Sequence, residues 1–360
     1  MTVSFRRAGE RAVESDGERR RRIKCGTGEG CSCDTETTEC GGARRAFWHI
    51  HLEHASTAAL TIRRHDLNAY RPVGTKERIV VAVAELSIPT AAGVFDAIAA
   101  GPHEGRPVLL LHGFPQTSLV WQRQLTALAA QGYRAVAPDQ RGYSPGVRPP
   151  RPEDYTITTL VDDVIAITEA LGWPTFDLVG HDWGGAVAWW TADAHPGRVR
   201  TLTVVSTPHP GALAVALRID EDQRTRSRYM RDWRETPATE DRLLADDARL
   251  LRTLYANKVP RAAEDAYVRH LSRPGALTAA LNWYRAGRPS HPIGTIDVPT
   301  LYVWSTQDTA FGPTAAQETG RWVTAPYHFE TLPDTTHWIP EEAPDTLNDL
   351  LLEHLNGQGG

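Results

Sequence analysis

One segment of the chain holds a carboxylate where a turn would push it into the open. Residues 176 to 190 read Phe-Asp-Leu-Val-Gly-His-Asp-Trp-Gly-Gly-Ala-Val-Ala-Trp-Trp: an apolar strand, a sharp Gly-x-Asp-x-Gly turn, then a helix. Gly180 and Gly184 suit a turn so tight that side chains there would strike strand or helix. Asp182 stands at the tip, beside a helix N-terminus whose dipole favours the ionised form. An aspartate that attacks acyl carbon gives a labile anhydride. Against saturated carbon bearing a leaving group, the same carboxylate gives an ordinary ester that water can cleave. The chemistry expected is the opening of an epoxide or the displacement of a halide. Taken alone, Asp182 could simply cap the helix; its companions point the other way.

Water attacking an ester needs a base, and Pro-Asp-Thr-Thr-His-Trp-Ile-Pro supplies His337 just after the last expected strand. The base needs an orienting acid, and Asp308 lies at the carboxyl end of the strand before it, the edge where open α/β sheets bind ligands. Asp297 precedes that strand and Asp334 crowds His337 in sequence, so both are second choices. Glu341 and Glu342 are read as opening the final helix. In Leu-Leu-Leu-His-Gly-Phe-Pro-Gln, residues 109 to 116, the backbone N–H of Phe114 could join that of Trp183 as an oxyanion hole. His112, His181 and His209 sit in turns, where backbone hydrogen bonding is expected.

These residues need elements to carry them. From Arg78 onward, short β-branched runs alternate with helical patterns, the signature of strands joined by crossover helices. The strand candidates are Ile79–Val83, Val94–Ala99, Val108–Leu111, Ala135–Ala137, Phe176–Val179, Thr201–Ser206, Leu301–Trp304 and Phe329–Leu332. The fold expected is α/β: a mostly parallel sheet of about eight strands, flanked by helices. Residues 76–209 would form its first part and 296–360 its second. Between them, 210–295 carries no strand-like run and is dense in Arg, Asp, Glu, Ala and Leu at helical spacing, an inserted helical cap over a cleft. Trp189 and Trp190 follow the sharp turn, and at least one is expected to pack helix against sheet.

Residues 1–75 are polar and arginine-rich and read as a low-complexity, disordered N-terminal extension. The favoured account is that translation starts downstream, at a valine such as Val73 or Val80, since Met1 and Met230 are the chain's two methionines. All four cysteines, Cys25, Cys31, Cys33 and Cys40, fall in this segment. Their spacing lacks the paired Cys-x2-Cys hooks of common zinc sites, so no metal is expected, although His49, His51 and His54 follow closely. With 41% hydrophobic residues over 360, the chain can bury a sizeable core. A formal net charge of −5 from dispersed charges offers no positive field for nucleic acid. No apolar run reaches the roughly 18 to 20 residues of a bilayer crossing, and no secretory leader is evident. A cytoplasmic protein is expected, and a homodimer stays open.

The motifs together resemble the α/β-hydrolase superfamily and, within it, the epoxide hydrolases. The likeness runs from about Arg78 to Leu355. It is carried by His-Gly-Phe-Pro-Gln at 112–116, Asp-Gln-Arg-Gly-Tyr at 139–143, Gly-His-Asp-Trp-Gly-Gly at 180–185, Ser-Thr-Pro-His-Pro at 206–210 and Thr-His-Trp at 336–338. Leu-Asn-Trp-Tyr-Arg, residues 281–285, is similar to the segment whose tyrosine reaches from the cap to the epoxide oxygen, which implies that role for Tyr284. The Ser-Arg-Tyr-Met-Arg-Asp-Trp stretch offers Tyr229 as the second cap tyrosine that the family usually has. A phenol with an intrinsic pKa of about 10 stays protonated near neutrality, ready to donate to the opening oxygen. Either tyrosine could instead be a packing residue. The resemblance implies a small apolar organic substrate and water, with no cofactor. The rival readings are a haloalkane or haloacid dehalogenase using the same aspartate, and a non-catalytic binding protein of this fold. In haloalkane dehalogenases the Trp183 indole would hold the halide, together with an Asn after His-Gly or a cap tryptophan. Here Phe114 follows His-Gly, and Trp183 stands where fluoroacetate dehalogenases carry arginine.

Overall fold

Strands buried on both faces read as near-continuous apolar runs, and one such run, Val108 to Leu111, sits at the centre of this molecule. The computed structural model describes residues 62–63, 82–236, 238–287, 289 and 291–357. Its strands are β1 (Ile62–Arg63), β2 (Ala84–Thr90), β3 (Gly93–Ala100), β4 (Pro107–Leu111), β5 (Arg134–Pro138), β6 (Phe176–His181), β7 (Val199–Val205), β8 (Thr300–Gln307) and β9 (Tyr327–Thr336). They form one sheet in the order β1-β2-β3-β5-β4-β6-β7-β8-β9. Val108 to Leu111 in β4 and every residue of β6 are buried.

The eight strands β2 to β9 make the expected sheet. The two-residue β1 lies within 1–75 and pairs antiparallel with β2. The first strand differs from its expected position. Residues 79–81 lie outside the described residues, Ala82 and Val83 carry no strand, and the strand is Ala84–Thr90 instead. There Leu86 and Ile88 point inward in alternation. An antiparallel strand near the sheet edge buries one face, so period-two alternation was the better guide than the continuous run at 79–83. The four cysteines, His49, His51, His54, Val73 and Val80 also lie outside the described residues.

The sheet is flanked by α1 (Gln122–Ala130), α2 (Ile157–Ala170), α3 (Trp183–Ala194), α10 (Pro313–Glu318), α11 (Ile339–Glu342) and α12 (Pro344–Gly357). Between β7 and β8 run α4 (Pro210–Ile219), α5 (Glu221–Arg226), α6 (Arg228–Glu235), α7 (Thr239–Thr253), α8 (Arg261–Leu271) and α9 (Ala276–Arg285). Among the described residues no helix is long and apolar enough to cross a membrane.

Pairing direction decides where chemistry can gather. β4 pairs parallel with both β5 and β6, and the parallel ladder continues through β7 and β8 to β9. The carboxyl ends of β4, β6, β8 and β9 therefore share one edge. The chain leaves β4 for β5 on one side and returns to β6 on the other, so strand order reverses at β4. Ligands of open α/β sheets bind in the crevice beyond such a reversal.

Candidate active site

Asp182 joins β6 to α3 with φ 52° and ψ −122°. A non-glycine residue held there costs of order 1–3 kcal/mol and persists only where the surroundings impose it. Here they do: a Cβ added at Gly180 would strike the Gly184 carbonyl, and one at Gly184 would strike that of Leu111. The side chain is buried, and Oδ1 accepts the Phe114 backbone N–H at 2.8 Å. Thr207 Oγ1 donates to the Asp182 carbonyl at 2.7 Å. Burial works against the charge, but hydrogen bonding and attraction to His337, with help from the Trp183 N–H, hold the carboxyl below its usual range.

His337 follows β9 directly, and Asp308 follows β8. His337 Nδ1 lies 2.9 Å from Asp308 Oδ2, and Nε2 lies 3.5 Å from Asp182 Oδ2. The other oxygen of Asp308 accepts the N–H groups of Ala310 at 2.7 Å and Phe311 at 3.0 Å. Burial disfavours the imidazolium, yet the Asp308 charge and the Asp182 carboxylate 3.5 Å away outweigh it, and the pKa of His337 is pushed up to about 10. The second choices lie elsewhere: exposed Asp334 meets Gln307, and exposed Asp297 meets Thr324.

The backbone of His337 is held as firmly as its ring. Its carbonyl accepts from Ser206 Oγ at 3.0 Å and meets His181 Nε2 at 2.9 Å. His181 Nδ1 meets Gln116 Oε1 at 3.1 Å, Gln116 Nε2 donates to Glu341 at 2.5 Å, and Tyr267 donates to the other Glu341 oxygen at 2.8 Å. Burial pushes the Glu341 carboxyl up to about 7, against the two hydrogen bonds it accepts. Glu341 and Glu342 thus belong to the short α11, with the final helix starting at Pro344. The expected backbone roles of the turn histidines hold: His112 Nε2 accepts the Gln140 N–H, and His209 Nδ1 that of Gly211.

Asp182 and Tyr229 line two cavities. One, of about 160 Å³, also meets Phe114, Trp233, Leu254, Tyr284, His337 and Trp338. The other, of about 190 Å³, meets Trp183, Trp190, Leu213, Met230, Trp283 and Phe311. Trp189 is fully buried and Trp190 borders this second cavity, so the two tryptophans divide between packing and lining. Tyr284 comes from α9 and stacks edge-on to Trp183 at 5.1 Å, Trp233 at 5.0 Å and Phe114 at 5.7 Å. Tyr229, from α6, packs against Trp233 at 4.6 Å. Burial and then the Asp182 charge hold both phenols well above their ordinary pKa.

Every site residue expected from the sequence therefore lies in one cluster: Asp182, His337, Asp308, Tyr284, Tyr229, Phe114 and Trp183. Sequence reading missed Trp233, Gln116 and the anchoring role of Ser206. Ser206 carries one local trace, its place at the head of the Ser-Thr-Pro-His-Pro motif just after β7. Gln116 closes the His-Gly-Phe-Pro-Gln motif, but its partners lie far away in the chain, while Trp233 stands one helical turn after Tyr229, against which it packs.

A family model described as alpha/beta hydrolase fold matches residues 106–344. AB hydrolase superfamily protein YfhM of Bacillus subtilis is 34% identical over 272 residues, 72% of this chain and 93% of the relative. Epoxide hydrolase 3 of Xenopus tropicalis is 32% identical over 273 residues, 72% of this chain and 74% of the relative. Among solved structures, an epoxide hydrolase of Bacillus megaterium in complex with an inhibitor aligns with a TM-score of 0.70 at 26% identity. The match covers 75% of this chain and 99% of the other.

Proposed function

Because the chain belongs to the α/β-hydrolase family, on its epoxide hydrolase-like side, we propose that this hydrolase opens an epoxide to a vicinal diol through an ester on Asp182. One observation carries the reading: a buried, ionised carboxylate with one oxygen on the Phe114 N–H shares a cavity with two phenols, Tyr284 and Tyr229. Oδ2 attacks a ring carbon while Oδ1 stays with the Phe114 N–H, the Trp183 N–H close by favouring the same charge. The C–O bond of the ring breaks, and Tyr284, assisted by Tyr229, gives its proton to the departing oxygen.

His337 enters this cycle protonated, since Asp182 is among the charges that raise it. Once Asp182 is an ester that charge is gone, and the imidazolium can return a proton to the phenolate by way of solvent. Neutral His337, oriented by Asp308, then takes a proton from water. Hydroxide adds to the ester carbonyl, whose oxygen gathers charge against the same two N–H groups, a pair of donors each worth a hundredfold or so in rate. Collapse releases the diol, whose oxygen takes the remaining proton, and restores the Asp182–His337 pair. We read 210–295 as a cap that supplies the tyrosines and shields the ester from bulk water.

A halide-releasing reading is favoured by one feature: Trp233, from the same helical segment, lines the first cavity beside Asp182, where its indole N–H would offer a donor to a leaving halide. His337→Gln decides between the two. Incubated with a panel of epoxides and haloalkanes, this variant should accumulate an adduct on Asp182, read by intact mass and peptide mapping. An epoxide adds its whole mass; a haloalkane adds its alkyl group without the halogen. An adduct from haloalkanes alone would replace the epoxide reading, and no adduct from either, with inert wild type, would end both.

A further inference from the structure

The short helix α5 buries a single residue, and that residue is polar: Gln223 is fully buried while Glu221, Asp222 and Arg224 around it are exposed. Apolar burial therefore does not anchor this helix. Its glutamine does so by hydrogen bonding to the loop that carries Asp308. Gln223 Nε2 donates to the Ala310 carbonyl at 2.9 Å, and Oε1 accepts the Gly312 N–H at 2.8 Å. The remaining amide hydrogen goes to Ser227 Oγ at 3.0 Å. The side chain thus pairs with the loop as a neighbouring strand would.

That loop sets the direction of Asp308. The carboxylate oxygen turned away from His337 is fixed by the N–H groups of Ala310 and Phe311, and Trp304 Nε1 holds the Phe311 carbonyl at 3.0 Å from the sheet side. Arg226, also on α5, donates to the carbonyl of Asp308 itself and pairs with Asp222 at 2.6 Å. Among the described residues, Gln223 is the group that meets both the Ala310 carbonyl and the Gly312 N–H.

We infer that Gln223 is a positioning residue for the hydrolytic step: by clamping residues 310–312 from the helical segment, it fixes the carboxylate of Asp308 against Nδ1 of His337. The inference rests on the roles given above to Asp308 and His337. Its physical basis is that reacting groups displaced by about 1 Å lose roughly a hundredfold in rate, whereas the loop touches the attack by Asp182 only as apolar cavity wall, through Ala310 and Phe311.

The test uses the full chain carrying Gln223→Met, close in length but without the amide, and Gln223→Glu, which keeps the acceptor for Gly312 and, protonated in its buried place, a donor for the Ala310 carbonyl. Two readouts are taken. The first needs no substrate: the downfield proton NMR signal of His337 Nδ1–H, assigned by its loss in Asp308→Asn. It should move upfield or broaden by exchange in Gln223→Met, and in the same direction but less in Gln223→Glu. The second is single turnover of styrene oxide, where ester hydrolysis should slow by ~10- to 100-fold in Gln223→Met and ester formation by less than about threefold. A lower melting temperature with an unmoved signal and an unchanged ratio of the two rates would make Gln223 a folding anchor and overturn the inference. A displaced signal in a protein that forms no ester with styrene oxide or any other epoxide would support the clamp while ending the epoxide reading.

Discussion

Replacing Asp308 by Asn tests the proposed mechanism at its most constrained point. The loop decides how an asparagine would sit. The oxygen facing Ala310 and Phe311 accepts two N–H groups at 2.7 and 3.0 Å, so that place demands an acceptor and takes the carboxamide oxygen. The new NH2 then faces Nδ1 of His337, where a carboxylate oxygen stood 2.9 Å away. A neutral imidazole must answer that donor with a lone pair, which leaves its proton on Nε2, the nitrogen beside Asp182. The wrong tautomer cannot take a proton from water. In a triad built on the same logic that error lowers turnover about 10⁴-fold, which corresponds to about 5 kcal/mol of barrier. The charge that most raises the pKa of His337 is lost as well. Attack by Asp182 needs neither effect, so ester formation should fall by less than about tenfold. Rapid mixing with an epoxide should show the ester forming and persisting, by quenched intact mass and by fluorescence of Trp183, Trp233 and Trp338 around the site. Equal losses in both steps, or hydrolysis within about tenfold of wild type, would refute Asp308 as the orienting acid.

Two further outcomes are expected. Tyr284→Phe should lower epoxide turnover by roughly a hundredfold while leaving any halide release nearly unchanged, and Tyr229→Phe should act in the same direction more weakly; steady-state assays on both substrate types read the difference. Glu341 holds a proton in the folded state up to about pH 7, which an unfolded glutamate releases near its ordinary value of about 4.3. Its folded pKa is raised, so its contribution to stability is present at low pH and is lost as pH rises across that window. Glu341→Gln should remove this slope, seen as a smaller fall in melting temperature between about pH 5 and 7.5 than in wild type; parallel curves would sink the assignment.

The sharp turn that carries Asp182 was legible because its requirements are local. A turn this sharp places glycines two residues either side of Asp182, and steric exclusion over a few bonds leaves a pattern in sequence. The same holds for β4 at the centre of the sheet, whose burial on both faces is written as the run Val-Leu-Leu-Leu. That Asp182, Asp308 and His337, each just after a strand, meet at one edge follows from parallel pairing, which aligns carboxyl ends whatever fills the connections. The strand at Ala84–Thr90 was misplaced because an alternating, half-buried strand competes poorly with a nearby apolar run.

Only the folded chain decided which polar groups meet. Gln116 finds Glu341 across 225 positions, Gln223 finds Gly312 across 89, and Ser206 finds the carbonyl of His337 across 131. No periodicity encodes such pairs, because a hydrogen bond needs the final coordinates of both partners within a few tenths of an ångström, whereas a pattern of burial needs only the face on which each residue lies. The residue types able to do the chemistry are thus inscribed in the chain, while the aim of each side chain is settled when the sheet edge and the helices beside it close around it.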